Sequence, residues 1–171
     1  MTWFEAVTYC KRQGAKLAEI NSEEENRVIE EEIVRGGYQS RNMWFWIGLT
    51  DRREEGTWRY ASNGEVANFF NWDKHWPTNP EPNNDNNNEH CALIRSKGCS
   101  GWWDNAWADL SCNEKMVKIR CGNDRSKTKF SVNALCEFKT ETGETPNRSG
   151  EPSEPAEPVE SGELVGWYHT S

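Results

Sequence analysis

Two stretches near the start of the chain carry helical periodicity. Thr2 followed by Glu5 has the capping-box spacing, in which two side chains satisfy backbone N–H groups at a helix start. Trp3, Val7 and Cys10 then fall on one face, and Gly14 supplies a stop. Ser22 followed by Glu25 repeats the signature. Val28, Ile29 and Ile33 form the stripe of a second helix that ends at Gly36-Gly37. The acidic clusters at 23–25 and 30–32 suit its solvated face. Beyond Tyr38 the pattern changes to short apolar runs at 45–49, 58–60, 91–94 and 116–119, broken by Asn, Gly, Asp and Pro. These are strand lengths, and two helices followed by several short strands predict an α+β domain. Between 61 and 111 regular structure is sparse, and a long ordered loop in a compact domain usually carries function.

Charge changes this picture mainly at the C-terminal end. Of the net −8 over 171 residues, −5 falls on 139–171, where two basic residues face seven glutamates. Four of the seven prolines lie there too, and 151–158 repeats Glu-Pro every three residues. Such a segment buries too little apolar surface to offset its ordering entropy, so 139–171 is expected to be a disordered tail behind a folded 1–138. The acidic balance argues against a nucleic-acid partner, because phosphate binding needs clustered Lys and Arg. The longest apolar stretch, 43–49, is far shorter than the roughly 20 residues of a membrane-spanning helix.

Six cysteines and ten tryptophans are the distinctive composition. No cysteine sits in a C-x-x-C pair of the kind used for zinc or dithiol redox chemistry. An even count, with an N-glycosylation sequon at Asn147-Arg148-Ser149, points to three disulfides and an extracellular setting; their connectivity stays open at this level. No secretory signal precedes Thr2, so the chain reads as a fragment of a longer secreted protein.

At this point the residues carry a resemblance. Trp3-Phe4-Glu5-Ala6, Tyr9-Cys10, Gly14-Ala15-Lys16-Leu17-Ala18, Trp46-Ile47-Gly48-Leu49, Glu81-Pro82-Asn83, Trp107-Ala108-Asp109 with Cys112, and Cys136-Glu137-Phe138 occur in order. Together they resemble a C-type lectin-like domain covering nearly all of 1–138. The resemblance implies two helices flanking two small antiparallel sheets, with a long loop region held by calcium. It implies disulfides Cys91–Cys112 and Cys10–Cys136, leaving Cys99 and Cys121 to pair with each other. The competing assignment ends the domain at Cys121 and pairs that residue with Cys10. With Cys136 preferred, 122–132, including Arg125, Lys127 and Lys129, becomes an insertion.

The candidate chemistry centres on Glu81-Pro82-Asn83. Calcium takes six to eight oxygens from carboxylates, amides and carbonyls. Alternate residues of an extended segment point the same way, so Glu81 and Asn83 present two such oxygens on one side. The resemblance adds Glu89 and Asp109 as ligands and implies a cis bond before Pro82. By the same resemblance, two vicinal sugar hydroxyls complete the calcium shell while Glu and Asn side chains hydrogen-bond to them. Glu-Pro-Asn goes with the equatorial hydroxyls of mannose, N-acetylglucosamine and fucose, and the galactose-type Gln-Pro-Asp is not present. An auxiliary calcium site would use Asp51 and Glu55, with Asn84 and Glu89 nearby; otherwise Asp51 and Glu55 only cap a turn. His75 and His90 read as isolated polar residues. Ala108 stands where the family has an asparagine ligand, so the site is expected to be weakened but working, with Asn105 or Asp104 as candidates to reach in.

Of the tryptophans, Trp46 and Trp107 belong to core motifs, whereas Trp76, Trp102 and Trp103 are candidates for exposure near the loop. The expected function is calcium-dependent carbohydrate binding, with glycans or glycoproteins as partners. A lectin-like module binding a protein or mineral surface without sugar is the alternative. Catalysis is not expected, because no nucleophile–base pair is evident.

Overall fold

The architecture is that of a computed structural model, which describes residues 1–38, 43–74, 80–96, 105–120 and 127–138. The first helix, α1 (Trp3–Arg12), starts at Thr2, whose side chain and that of Glu5 form the complete capping box. A short strand, β1 (Lys16–Leu17), leads to α2 (Glu23–Arg35), capped by Ser22 on the Glu25 amide. The remaining strands are β2 (Met43–Thr50), β3 (Arg59–Tyr60), β4 (Cys91–Arg95), β5 (Trp107–Leu110), β6 (Met116–Arg120), β7 (Lys127–Ala134) and β8 (Cys136–Glu137). The fold is α+β, as the helix and strand patterns predict.

The sheets differ from the expected pair of small antiparallel ones. One has two strands, β1 against β8; the other has six, ordered β5-β4-β2-β7-β6 with β3 added on β2. Within the large sheet β2 and β7 run parallel, so it is mixed. The described part of the expected insertion at 122–132 forms a strand of this sheet, because β7 pairs with both β2 and β6. The signal was present: Phe130, Val132 and Ala134 are buried while Lys127, Lys129 and Ser131 are not, the period of a half-buried strand. Residues 121–126 lie outside the described residues.

β2 explains the apolar run at 43–49. Its alternate side chains enter two hydrophobic layers, Phe45, Ile47 and Leu49 into one with α2, Trp44 and Trp46 into the other with α1. A strand covered on both faces loses the polar alternation of a surface strand. Gly48 is required there, since a Cβ would lie 2.8 Å from the Leu17 carbonyl oxygen. On α2 the buried face comprises Asn26, Ile29 and Ile33, with Val28 only half-buried, so Ile29 and Ile33 lie in the stripe as expected and Asn26 takes the place of Val28. Asn26 is tolerated inside because its Oδ1 accepts from Trp107 Nε1 at 2.9 Å.

Two disulfides staple this frame. Cys10–Cys136 ties α1 to the C-terminal strand, and Cys91–Cys112 joins the start of β4 to the segment after β5. Cys136, rather than Cys121, is therefore the partner of Cys10. Cys99 and Cys121, like the tail 139–171, lie outside the described residues.

Candidate metal and ligand site

β4 and β5 pair in register with Ala92 opposite Asp109, Leu93 opposite Ala108 and Ile94 opposite Trp107. This pairing presents Asp109 to the loop that precedes β4. The loop is shaped by a cis Glu81–Pro82 bond and by left-handed backbone at Asn84, Asn86 and Asn87. Asparagine tolerates that conformation better than other non-glycine residues, which accounts for the Asn-rich composition.

Asp109 organises the loop. Its Oδ1 accepts from the Asn83 N–H at 2.9 Å and its Oδ2 from the Asn84 N–H at 2.7 Å. The Asn83 amide Nδ2 donates to Glu81 Oε2 at 2.7 Å. The Glu81 Oε1 accepts from Arg95 Nη2. Asn84 Oδ1 accepts from the Glu89 N–H at 3.1 Å, and Glu89 Oε2 from the Asp85 N–H at 3.1 Å. Glu81, Asn83 and Asp109 thus form one hydrogen-bonded group, with Glu89 and Asn84 linked to it through the turn.

Charge in this group is under-compensated. Burial pushes the Glu81 carboxyl up to about 8, with the Asp109 carboxylate adding to the effect and Arg95 opposing it. Burial likewise raises Glu89 to about 7, aided by Asp109 and Asp85. The Asn83 Oδ1 is buried and accepts no hydrogen bond among the described residues. A buried acceptor left in this state costs about 1–3 kcal/mol, and a cation beside it would remove that cost. A buried, unpartnered amide oxygen on a loop with the half-buried carboxyls of Glu81 and Glu89 and the buried carboxylate of Asp109 is a donor set suited to a hard divalent cation such as calcium.

A second group forms at Asp51, Glu55 and His90. His90 Nδ1 lies 3.1 Å from Asp51 Oδ1 and 3.3 Å from Glu55 Oε2. His90 is therefore not isolated, in contrast to its reading from sequence. The loop before β4 folds it back onto the end of β2, where Thr50 Oγ1 donates to its carbonyl at 2.6 Å. Asp51 also caps the following turn, its Oδ2 accepting from the Gly56 N–H at 2.9 Å. Asp51 and Glu55 do come together, but the third member of the cluster is His90, while Asn84 is engaged with Glu89.

Ala108 is not a gap in the loop. Strand alternation puts Trp107 and Asp109 on one face and Ala108 on the other, where its methyl packs among Leu93, Trp46 and Cys91. Asn105 is buried and left-handed, with its N–H bonded to the Arg95 carbonyl at 2.9 Å. Asp104, His75, Trp76, Trp102 and Trp103 lie outside the described residues. Trp46 and Trp107 are core residues, as their motifs imply. Sequence reasoning missed Asp73 and Arg95. Arg95 Nη1 donates to Asp73 Oδ2 at 2.9 Å, and a lone charged residue ending an apolar run was the available signal.

Comparison with known proteins shows the family. The family described as the lectin C-type domain matches residues 1–121. The CD209 antigen of Symphalangus syndactylus is 30% identical over 131 residues, which cover 73% of this chain and 30% of that protein. Asialoglycoprotein receptor 2 of Rattus norvegicus is 37% identical over 106 residues, covering 61% and 32%. The chain therefore spans about a third of the length of these relatives. Among solved structures, the cow C-type carbohydrate-recognition domain of CD23, determined in the presence of a GlcNAc2Man3 oligosaccharide, is similar in fold. It has a TM-score of 0.52 at 21% identity, covering 82% of each chain. With a family match over more than half its length, the chain belongs to the C-type lectin family.

Proposed function

We propose that this chain is a calcium-dependent carbohydrate-binding domain acting outside the cell, with its folded part closing at 138. C-type lectin domains are binding modules rather than catalysts, so the functional question is what is held and how. The observation that carries the reading is the orphaned, buried Oδ1 of Asn83, a residue whose backbone N–H is bonded to Asp109 and whose side-chain Nδ2 is bonded to Glu81. The residues to hold the ion are Glu81, Asn83, Glu89 and Asp109. Calcium held there would supply a Lewis-acidic centre for vicinal sugar hydroxyls.

The chain's own groups then orient the sugar. Glu81 and Glu89 carboxylates accept from hydroxyls, and the Asn83 NH2 donates to one. Because Glu81 precedes Asn83, the order of acceptor and donor suits mannose, N-acetylglucosamine or fucose. Glycoproteins bearing such termini are the proposed partners; the printed name of the rat relative makes it a receptor for an asialoglycoprotein. The auxiliary group is proposed to hold an ion less well than an all-carboxylate site, since His90 contributes nitrogen where calcium favours oxygen.

The second reading, a lectin-like module that binds a protein or mineral surface without sugar, is favoured by one contact. Arg95 already engages Glu81, so part of the site is neutralised without a metal. Retention on a mannan matrix, released by EGTA, supports the first reading. Adhesion unaffected by EGTA supports the second.

A further inference from the structure

Arg95 ends β4 as its guanidinium enters the base of the candidate site. Its side chain is 11% exposed, against 4% for Asp73 and 10% for Glu81. One arm donates to Asp73 Oδ2 at 2.9 Å and the other to Glu81 Oε1. The ring closes through the backbone, because the Glu81 N–H donates to the Asp73 carbonyl at 2.9 Å. Asp73 is itself fixed to β5 by its N–H on the Trp107 carbonyl at 2.9 Å. The guanidinium also lies over the Trp44 ring, 5.6 Å from its centroid, which anchors it to β2.

The electrostatics give this ring a purpose. Asp73, Glu81, Glu89 and Asp109 bring four carboxyl groups to one partly buried region, and Arg95 is the base that meets two of them. Ionised together without a cation, these carboxyl groups would repel one another. A guanidinium is always charged and presents a planar fork, so it can hold two carboxylates in fixed relation as a lysine cannot. Glu81 keeps Oε2 toward Asn83 because Arg95 takes Oε1.

We propose that Arg95 is a positioning residue that holds Glu81, and with it the 81–84 loop, in its ligand-presenting form when no metal is bound. It acts as a resident cation, so this loop is formed in calcium-free protein rather than created by calcium. The inference deepens the calcium-site reading, on which its metal arm rests.

The test is hydrogen exchange at the Asn83 and Asn84 amides, which donate to Asp109, in wild type, Arg95→Met and Arg95→Lys with EGTA. Arg95→Met is expected to exchange these amides at least tenfold faster, with β2 amides unchanged and Arg95→Lys intermediate. Unchanged exchange at 83 and 84, or an equal rise throughout β2 and β4, overturns the proposal. Should Arg95→Met not fold, Arg95→Lys alone decides, with at least a threefold increase confined to 83 and 84 expected and no increase contradicting. Adding calcium is expected to restore protection in Arg95→Met. If the metal-free difference stands but calcium restores nothing, the calcium reading fails and the role of Arg95 remains.

Discussion

The Asn83 N–H donates to Asp109 Oδ1 at 2.9 Å across 26 residues of sequence, and this bond couples the loop before β4 to the strand after it. With the Asn84 N–H on Oδ2, one carboxylate fixes two consecutive amides. Asp109→Asn keeps the size, removes the charge and replaces one acceptor by a donor. Bonds to a charged group contribute roughly 1.5–3 kcal/mol, so a stability loss of about that size is expected in urea titration. Calcium affinity is expected to fall at least tenfold by calorimetry, and an unchanged calcium Kd would remove Asp109 from the ligand set.

Ala108 gives a prediction opposite to the one its motif suggests. Its methyl faces a packed layer and is 2% exposed, so Ala108→Asn buries an amide instead of restoring a ligand. A cost of about 1–3 kcal/mol is expected, with no gain in calcium affinity. A variant that binds calcium more tightly without loss of stability would show that position 108 reaches the site.

The cross-link between α1 and β8 closes most of the folded chain, its cysteines separated by 126 positions in sequence. Closing a loop of about 100 residues stabilises by roughly 4–5 kcal/mol in the chain-entropy picture. Replacing both Cys10 and Cys136 by alanine is expected to cost a large part of that in a denaturation curve. Peptide mapping without reduction is expected to return a Cys10–Cys136 peptide, and a Cys10–Cys121 peptide would refute the pairing.

Acid and alkali are expected to act in opposite senses on the metal-free and calcium-loaded protein. Glu81 and Glu89 hold their protons to about pH 8 and 7 in the fold, against 4.5 when unperturbed. Between those limits the folded state binds more protons than the unfolded state, so metal-free stability falls as pH rises. Calcium held by the ionised carboxylates would release those protons, so its affinity is expected to rise over the same window. The calcium-induced increase in Tm is therefore expected to grow from about pH 5.5 to about pH 8. A constant or shrinking increment would contradict the assignment of these two carboxylates.

What could be read from the sequence follows from how local each feature is. The caps at Thr2 and Ser22 are short-range hydrogen bonds, and both helices start where those residues predict. The run at 43–49 is apolar because β2 is covered on both faces, and periodicity alone cannot say what covers it. The place of β7 beside β2 is a parallel contact between distant segments, which the Phe130–Val132–Ala134 alternation hints at without naming a partner. In the site, Glu81, Asn83, Glu89 and Asp109 were nameable from the family pattern. Arg95 and His90 were not, because a salt bridge to Asp73 and a turn back onto Asp51 depend on how loops fold together.

The central claim is that sugar binding runs through calcium held by Glu81, Asn83, Glu89 and Asp109. Calorimetric titration of methyl α-mannoside into the intact chain, in calcium and then in EGTA, tests it most directly. Binding is expected in calcium, its loss in EGTA, and its loss in Asn83→Ala with calcium present. Equal binding in EGTA, or full binding by Asn83→Ala, would contradict it.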